Sequence, residues 1–263
     1  MKLRQVRRPC AYCGSSGPLS REEIFPKFLS KKIGYNTFVD QTRGGLVRGP
    51  MTVRDVCRPC NNRMLGGLDD YFAGLYRAYF SKAIPFGPVD FKCDYRKLLR
   101  WLFKAFYNSA RVRTHHVLVP ALAKHVPFIR GLELEPPFPT TVFVGVFNES
   151  VATDRERQLG MPARFHPFVH KFGDLRFGGQ RVNDAVIFGQ MFSVNSYVFT
   201  VIVFSPGISD ERRAEITKGM CRQNRLYVLP SDTGQIRIGE PIADARAYLM
   251  APKRRSDLFL RKP

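Results

Sequence analysis

The sequence predicts an α+β chain: a small metal-stapled module, then a run of helices, then an α+β body. Three observations carry this reading. Two Cys-x-x-Cys pairs, Cys10/Cys13 and Cys57/Cys60, stand near the start with 43 residues between them. Apolar residues then recur at helical spacing from Asp69 to Arg111. Beyond a proline-rich stretch, residues 140–147, 185–190 and 196–204 are β-prone runs of strand length. At 263 residues the chain exceeds a typical domain of about 100 to 200. The expected division is 1–66 for the stapled module, 67–125 for the helices and 126–263 for the body.

Each cysteine pair places two thiolates at one tight turn, and two such turns close a tetrahedral shell with no open position. That is the pattern of a structural zinc held by Cys10, Cys13, Cys57 and Cys60. The interval is longer than the roughly 15 to 20 residues of a simple zinc ribbon, so the insert should hold structure of its own. Residues 37–53 alternate β-prone pieces with Gly44-Gly45 and Gly49-Pro50, which reads as a hairpin or two loops. Residues 1–9 are basic without the apolar core of a signal peptide, so a cytoplasmic location is expected. Thiols stay reduced there, which favours zinc over disulfides. Cys93 and Cys221 are left over, far apart, and expected to be buried or incidental.

Charge is the second strong signal. The formal net charge is +20 and the pI about 10.1, and a chain this basic is expected to associate with polyanions, most often nucleic acid. Residues 1–66 alone hold 13 Lys or Arg against 4 Asp or Glu. Arg43, Arg48, Arg54, Arg58 and Arg63 stand along the module as candidate phosphate contacts. No run of about 18 or more apolar residues exists, so no membrane partner is expected.

In the helical part, Phe72, Leu75, Tyr76, Tyr79 and Phe80 share one face of a helix over 69–83. Asp94 can cap the next helix. There Leu98, Leu99, Leu102, Phe103 and Phe106 form a broad apolar face, while Lys97, Arg100, Lys104 and Arg111 fall in one stripe. The stripe reads either as a phosphate rail or as a solvated face. His115 and His116 follow at its end.

Pro136, Pro137 and Pro139 mark the next boundary. The run 196–204 is nearly continuous in apolar residues and belongs at the centre of a sheet. Ser209 opens a helix to about Cys221, and 225–229 and 235–238 add two strands. His166 and His170 have no third ligand in view. No nucleotide-binding glycine loop, nucleophile elbow or repeat is visible. The body is expected to recognise a target or a protein partner, and the basic stretch 252–263 to add nonspecific affinity.

The combination Cys10-Ala-Tyr-Cys13-Gly14, Ser20-Arg-Glu22-Glu23-Ile-Phe-Pro26 and Cys57-Arg-Pro-Cys60-Asn61-Asn62 resembles the HNH endonucleases, the ββα-metal nucleases, over residues 9 to about 66. The resemblance implies an endonuclease that hydrolyses phosphodiester bonds in nucleic acid, DNA ahead of RNA. It also implies a catalytic divalent ion, Mg or Mn, on Glu22 and Asn61, with Asn62 as the fallback. Glu23 stands where the family has its general-base histidine. Two expectations follow. Either the centre is active, with Glu23 activating water or joining Glu22 on the ion, or it is silenced and the module serves as a nucleic-acid-binding or complex-forming subunit. A histidine brought to the site from elsewhere, His115 or His116, would favour the first.

Overall fold

The computed structural model describes residues 8–26, 28–29, 37–40, 45–48, 51–82, 84, 87–113, 115–147, 150–151, 154–158, 164–165, 170–175 and 184–242, with the backbone alone for 37–40, 45–48, 150–151, 155–156, 164–165 and 170–173. Arg43, His166, the basic stretch 252–263 and the side chains of Arg48 and His170 lie outside the described residues. The fold is α+β, and it divides into two compact units. One joins Met1–Gly74 with Arg96–Pro137; the other joins Leu75–Tyr95 with Phe138–Pro263. The stretch read from sequence as one helical segment, 67–125, thus supplies residues to both.

The first unit opens with the Cys10/Cys13 turn and strand β1 (Leu19–Glu23). The insert holds a hairpin, β2 (Thr37–Asp40) against β3 (Gly45–Arg48), followed by β4 (Thr52–Cys57). β4 is rich in β-branched residues, and it returns antiparallel to β1, so that Leu19 faces Cys57 and Glu23 faces Thr52. Between Ser20↔Val56 and Glu22↔Val53 the register shifts. Two residues of β4, Arg54 and Asp55, there oppose the single Arg21, which is a β-bulge, a device that bends a strand and re-aims its side chains.

After Pro59 the chain turns helical, first as a π-helical turn (Cys60–Leu65), then as α1 (Gly66–Leu75), then as a second π-helical turn (Tyr76–Phe80). Helix α2 (Tyr95–Val112) is the longest element of the first unit, and every residue from Trp101 to Ala110 is buried. A helix enclosed on all sides must be apolar or internally paired around its circumference. Trp101 stacks on Phe72 of α1 with centroids 3.5 Å apart. Two short helices, α3 (Leu118–Ala123) and α4 (Val126–Arg130), complete the unit. Gly131 ends α4 at φ 75°, a left-handed conformation that favours glycine.

The second unit contains β5 (Val89–Lys92) and a five-stranded antiparallel sheet. Its strands are β6 (Thr140–Val146), β9 (His170–Leu175), β10 (Val186–Val194), β11 (Tyr197–Phe204) and β12 (Tyr227–Val228), in the spatial order β12-β6-β11-β10-β9. β7 (Ser150–Val151), α5 (Asp154–Gln158) and β8 (Arg164–Phe165) lie between β6 and β9 in the chain. All eight residues of β11 are buried, as its central place requires. Phe80 and Phe91 meet Tyr197 and Phe199 within 6 Å. Val198, Ile202 and Phe204 share a core with Ile216 and Met220 of helix α6 (Asp210–Asn224). Ser209 Oγ caps α6 by accepting the Arg212 N–H at 3.2 Å. β13 (Gln235–Ile238) leaves the main sheet and pairs with β5. Among the described residues, no helix is long and apolar enough to cross a membrane.

Candidate metal centre and nuclease-like site

The two knuckles meet. The thiols of Cys10, Cys13, Cys57 and Cys60 all lie within 4.8 Å of one another, and Cys13 Sγ is 3.6 Å from Cys57 Sγ. None of the six cysteines of the chain forms a disulfide. A tetrahedron with metal–sulfur bonds of about 2.3 Å has sulfur–sulfur edges of about 3.8 Å, so the cluster can hold a metal ion such as zinc. The Cys57 N–H points at Cys10 Sγ at 3.3 Å, the kind of donor that stabilises a bound thiolate. Tyr12, inside the first knuckle, donates to Asn108 Oδ1 at 2.7 Å and tethers the cluster to α2. Burial pushes the Cys93 thiol up to about 12 and raises that of Cys221. Both are poor nucleophiles at neutral pH.

Beside the cluster stand the residues expected to carry chemistry. Asn61 donates from Nδ2 to the Arg21 carbonyl at 2.9 Å and to Ser20 Oγ at 3.0 Å, while Ser20 Oγ donates to Val56 O at 2.9 Å. Asn61 therefore fastens the π-helical turn to the bulged edge of β1. Glu23 is half-exposed at the end of β1, whereas Glu22 points inward and is only 4% exposed. Its Oε1 lies 2.7 Å from Nζ of Lys104, and Lys104 Nζ lies 2.6 Å from each carboxylate oxygen of Asp69. Trp101 Nε1 donates to the same Asp69 carboxylate at 3.0 Å.

Lys104 is fully buried. Burial pulls its ammonium down, but the Asp69 and Glu22 carboxylates outweigh that and hold it above the ordinary lysine range. Burial raises Glu22 above the usual carboxylate range. The two directions agree, because two carboxylates around one ammonium leave an excess negative charge that favours every proton in the cluster. Removing the lysine would strand buried carboxylates, at a cost of about 3 to 5 kcal/mol.

This geometry corrects two expectations. Glu22 does not face solvent: its carboxylate is withdrawn onto the internal Lys104 ammonium, while Asn61 donates its amide N–H groups to β1. The basic stripe of α2 is also not a phosphate rail. Lys104 is buried in the triad. Arg111 is only 7% exposed and paired to Asp55 at 2.6 Å. Arg100 donates to the Ile129 carbonyl at 3.0 Å. Lys97 alone stays at the surface, with its ammonium 5.8 Å from the Tyr71 ring centroid. The reason is the burial of α2 on all sides, which a periodicity count cannot foresee.

Arg54, Arg58 and Arg63 are exposed as expected. Arg21, unnoticed in the sequence, is exposed as well, opposite Arg54 at the bulge of the strand pair. Asp69, Asp55 and Arg111 were also missed as partners. Their pairings span 35 and 56 residues of chain, and no local pattern announces them. Among the described residues, the four cysteines are the one group of three or more His, Cys, Asp or Glu side chains placed to share an ion. Among the described residues, no group of three or more ligating side chains brings His115 or His116 together with Glu22 or Glu23. The two histidines border a separate cleft with Ala11, Asp55, Tyr107 and Arg111. The chain matches no family model, no curated protein and no solved structure.

Proposed function

We propose that this protein binds nucleic acid, DNA ahead of RNA, through a zinc-stapled HNH-like module whose nuclease centre is closed. Zinc on Cys10, Cys13, Cys57 and Cys60 holds the two knuckles and leaves no open coordination position for chemistry. The observation that carries the reading is the buried triad. The Lys104 ammonium lies between Glu22 and Asp69 with contacts of 2.6 to 2.7 Å, and neutralises the carboxylate that a nuclease would offer to a divalent ion. Glu23 in the histidine position removes the imidazole base as well. What remains is cationic: Arg21, Arg54, Arg58 and Arg63 surround the module, and among the described residues none of them is held in an ion pair. Such arginines contact phosphates without regard to base sequence.

The test is a cleavage and binding assay on one preparation. Duplex DNA and structured RNA should be bound but not cut in Mg or Mn, and Glu23→His should be equally inert, since a restored imidazole still lacks an ion to work with. Metal-dependent cleavage by wild type that Glu22→Gln or Glu23→Gln lowers by about 10² or more would overturn the closed-centre reading and install the endonuclease. Retention of no nucleic acid even at low salt would overturn the binding reading.

A further inference from the structure

The interior of the first unit presses one amine against two acids. Lys104 is fully buried on the enclosed helix α2, and Glu22 is 4% exposed on β1. Lys104 Nζ lies 2.6 Å from both oxygens of Asp69 on α1 and 2.7 Å from Glu22 Oε1. Contact with both oxygens leaves the nitrogen about 3 Å or less from the Asp69 carboxyl carbon, within the reach of a near-attack pair. Trp101 Nε1 donates to Asp69 Oδ1 at 3.0 Å, and its indole is held by stacking on Phe72.

A simple ion pair needs one carboxylate. An amine, a carboxyl carbon at attacking distance and a second acid on the same nitrogen are the three groups that amide formation between side chains requires. We propose that Lys104 and Asp69 join in an intramolecular isopeptide bond, with Glu22 as the proton relay. The charged triad is the state from which the bond forms. The ammonium first passes one proton to a carboxylate, and burial lowers the cost of that transfer because a neutral amine and a neutral acid leave water more cheaply than two charges. The Asp69 carboxyl turns about its soft Cβ–Cγ bond to present the face of the carbon. The Nζ lone pair then forms the new bond to Cγ. Glu22 takes a second proton from nitrogen and gives it to the departing oxygen. One Cγ–O bond breaks, and Oδ2 leaves as water with two of the three ammonium protons, so atoms and charge balance and Glu22 is restored. The Trp101 N–H stays on Oδ1, where negative charge gathers in the tetrahedral intermediate. The Asp69 side chain is 24% exposed, which gives the water a way out.

The bond ties α1 to α2 across 35 residues of chain. None of the six cysteines forms a disulfide. A closed loop of this length restricts the unfolded chain as a disulfide does, and an amide is not undone by thiol reductants. The inference does not depend on the nucleic-acid reading, since its three residues act on one another.

Mass spectrometry of the full chain, denatured and freed of metal, reads the bond directly. The protein should weigh one water less than its sequence, about 18 Da. Tryptic digestion should give a branched peptide that joins Asp69 to Lys104, with no cleavage after Lys104. Glu22→Gln keeps the size of the side chain but not the relay, and should slow cross-linking about a hundredfold or more, with zinc content unchanged. In Asp69→Asn the leaving group is ammonia, so the mass lost on cross-linking should change from about 18 to about 17 Da, which marks residue 69 as the acyl partner. A folded wild type that keeps its full sequence mass would overturn the proposal. So would a lost water that maps to Asp69 without Lys104, as cyclisation onto its own backbone gives. Glu22→Gln protein that cross-links as fast as wild type would remove Glu22 from the step. If either variant fails to fold, the wild-type mass and the branched peptide decide.

Discussion

At the scale of single residues, the first unit keeps several polar groups in its interior, and each leaves a measurable trace. His125 is fully buried, and its ring stacks on Phe103 with centroids 4.1 Å apart. Burial disfavours the imidazolium and pushes its pKa from an ordinary 6.5 down to about 4. Below about pH 6.5 the unfolded chain therefore takes up a proton that the folded chain refuses. Stability from this group is complete above that value and is lost as pH falls toward 4. The expected loss is roughly 2 kcal/mol between pH 7 and pH 5, read from urea unfolding at each pH. His125→Phe keeps the ring contact without the proton, and should flatten the curve over the same interval. A variant whose stability falls as steeply as wild type would show that another group carries the dependence. Lys104 obeys the same electrostatics with the opposite outcome, because it is buried with carboxylates around it and keeps its charge.

At the scale of elements, the cysteine cluster fastens the turn before β1 to the end of β4. Among the described residues, β1 and β4 form a sheet of two strands, and a lone pair of strands is marginal in water. The knuckles, Asn61 and the Tyr12–Asn108 bond tie that pair to the helices. A structural zinc contributes on the order of 10 kcal/mol or more of apparent binding energy at neutral pH, enough to decide whether the pair exists. Purified protein should carry one zinc per chain by elemental analysis. Chelation, or Cys60→Ala, should release it and abolish the slow hydrogen exchange of β1 and β4 amides. Reduced, folded protein without metal, or strands equally protected after chelation, would remove zinc from the account. The π-helical turn over Cys60–Leu65 belongs to the same design. It starts on a knuckle cysteine and carries Asn61 across to the Arg21 carbonyl beside the bulge.

At the scale of the whole molecule, charge is the dominant property. With a formal +20, association with a polyanion releases counterions, and the logarithm of affinity should fall linearly with the logarithm of salt. The slope counts phosphates contacted. Replacing Arg54 and Arg63 together by Ala should lower the magnitude of the slope for duplex DNA by about 2, about 1 for each arginine, with little change in sequence preference. Affinity indifferent to salt, or a slope untouched by the double change, would mean that these arginines do not face the phosphates.

How much of this was legible beforehand follows from the range of the interactions. The cysteine cluster was readable because cysteine spacing within each pair sets a local turn, and a thiol quartet admits few alternatives. The strand 196–204 and the Ser209 cap were readable because apolar runs and caps are local patterns. The α+β class followed from those periods. The buried triad was not readable, because it depends on Lys104 lying beside Glu22 and Asp69, residues remote in the chain. The basic stripe of α2 failed for the same reason: helical periodicity gives a face its composition but not its neighbours. The cleft at Asp55 and Arg111 also required the fold, since a one-residue bulge in β4 and the end of α2 place the two groups together. By itself, the sequence determined which side chains could hold a metal and that the chain would be strongly cationic, both properties of residue type and spacing. Only the tertiary structure decided which charges face solvent and which are cancelled inside, because the cost of burying a charge depends on partners that folding alone brings within reach.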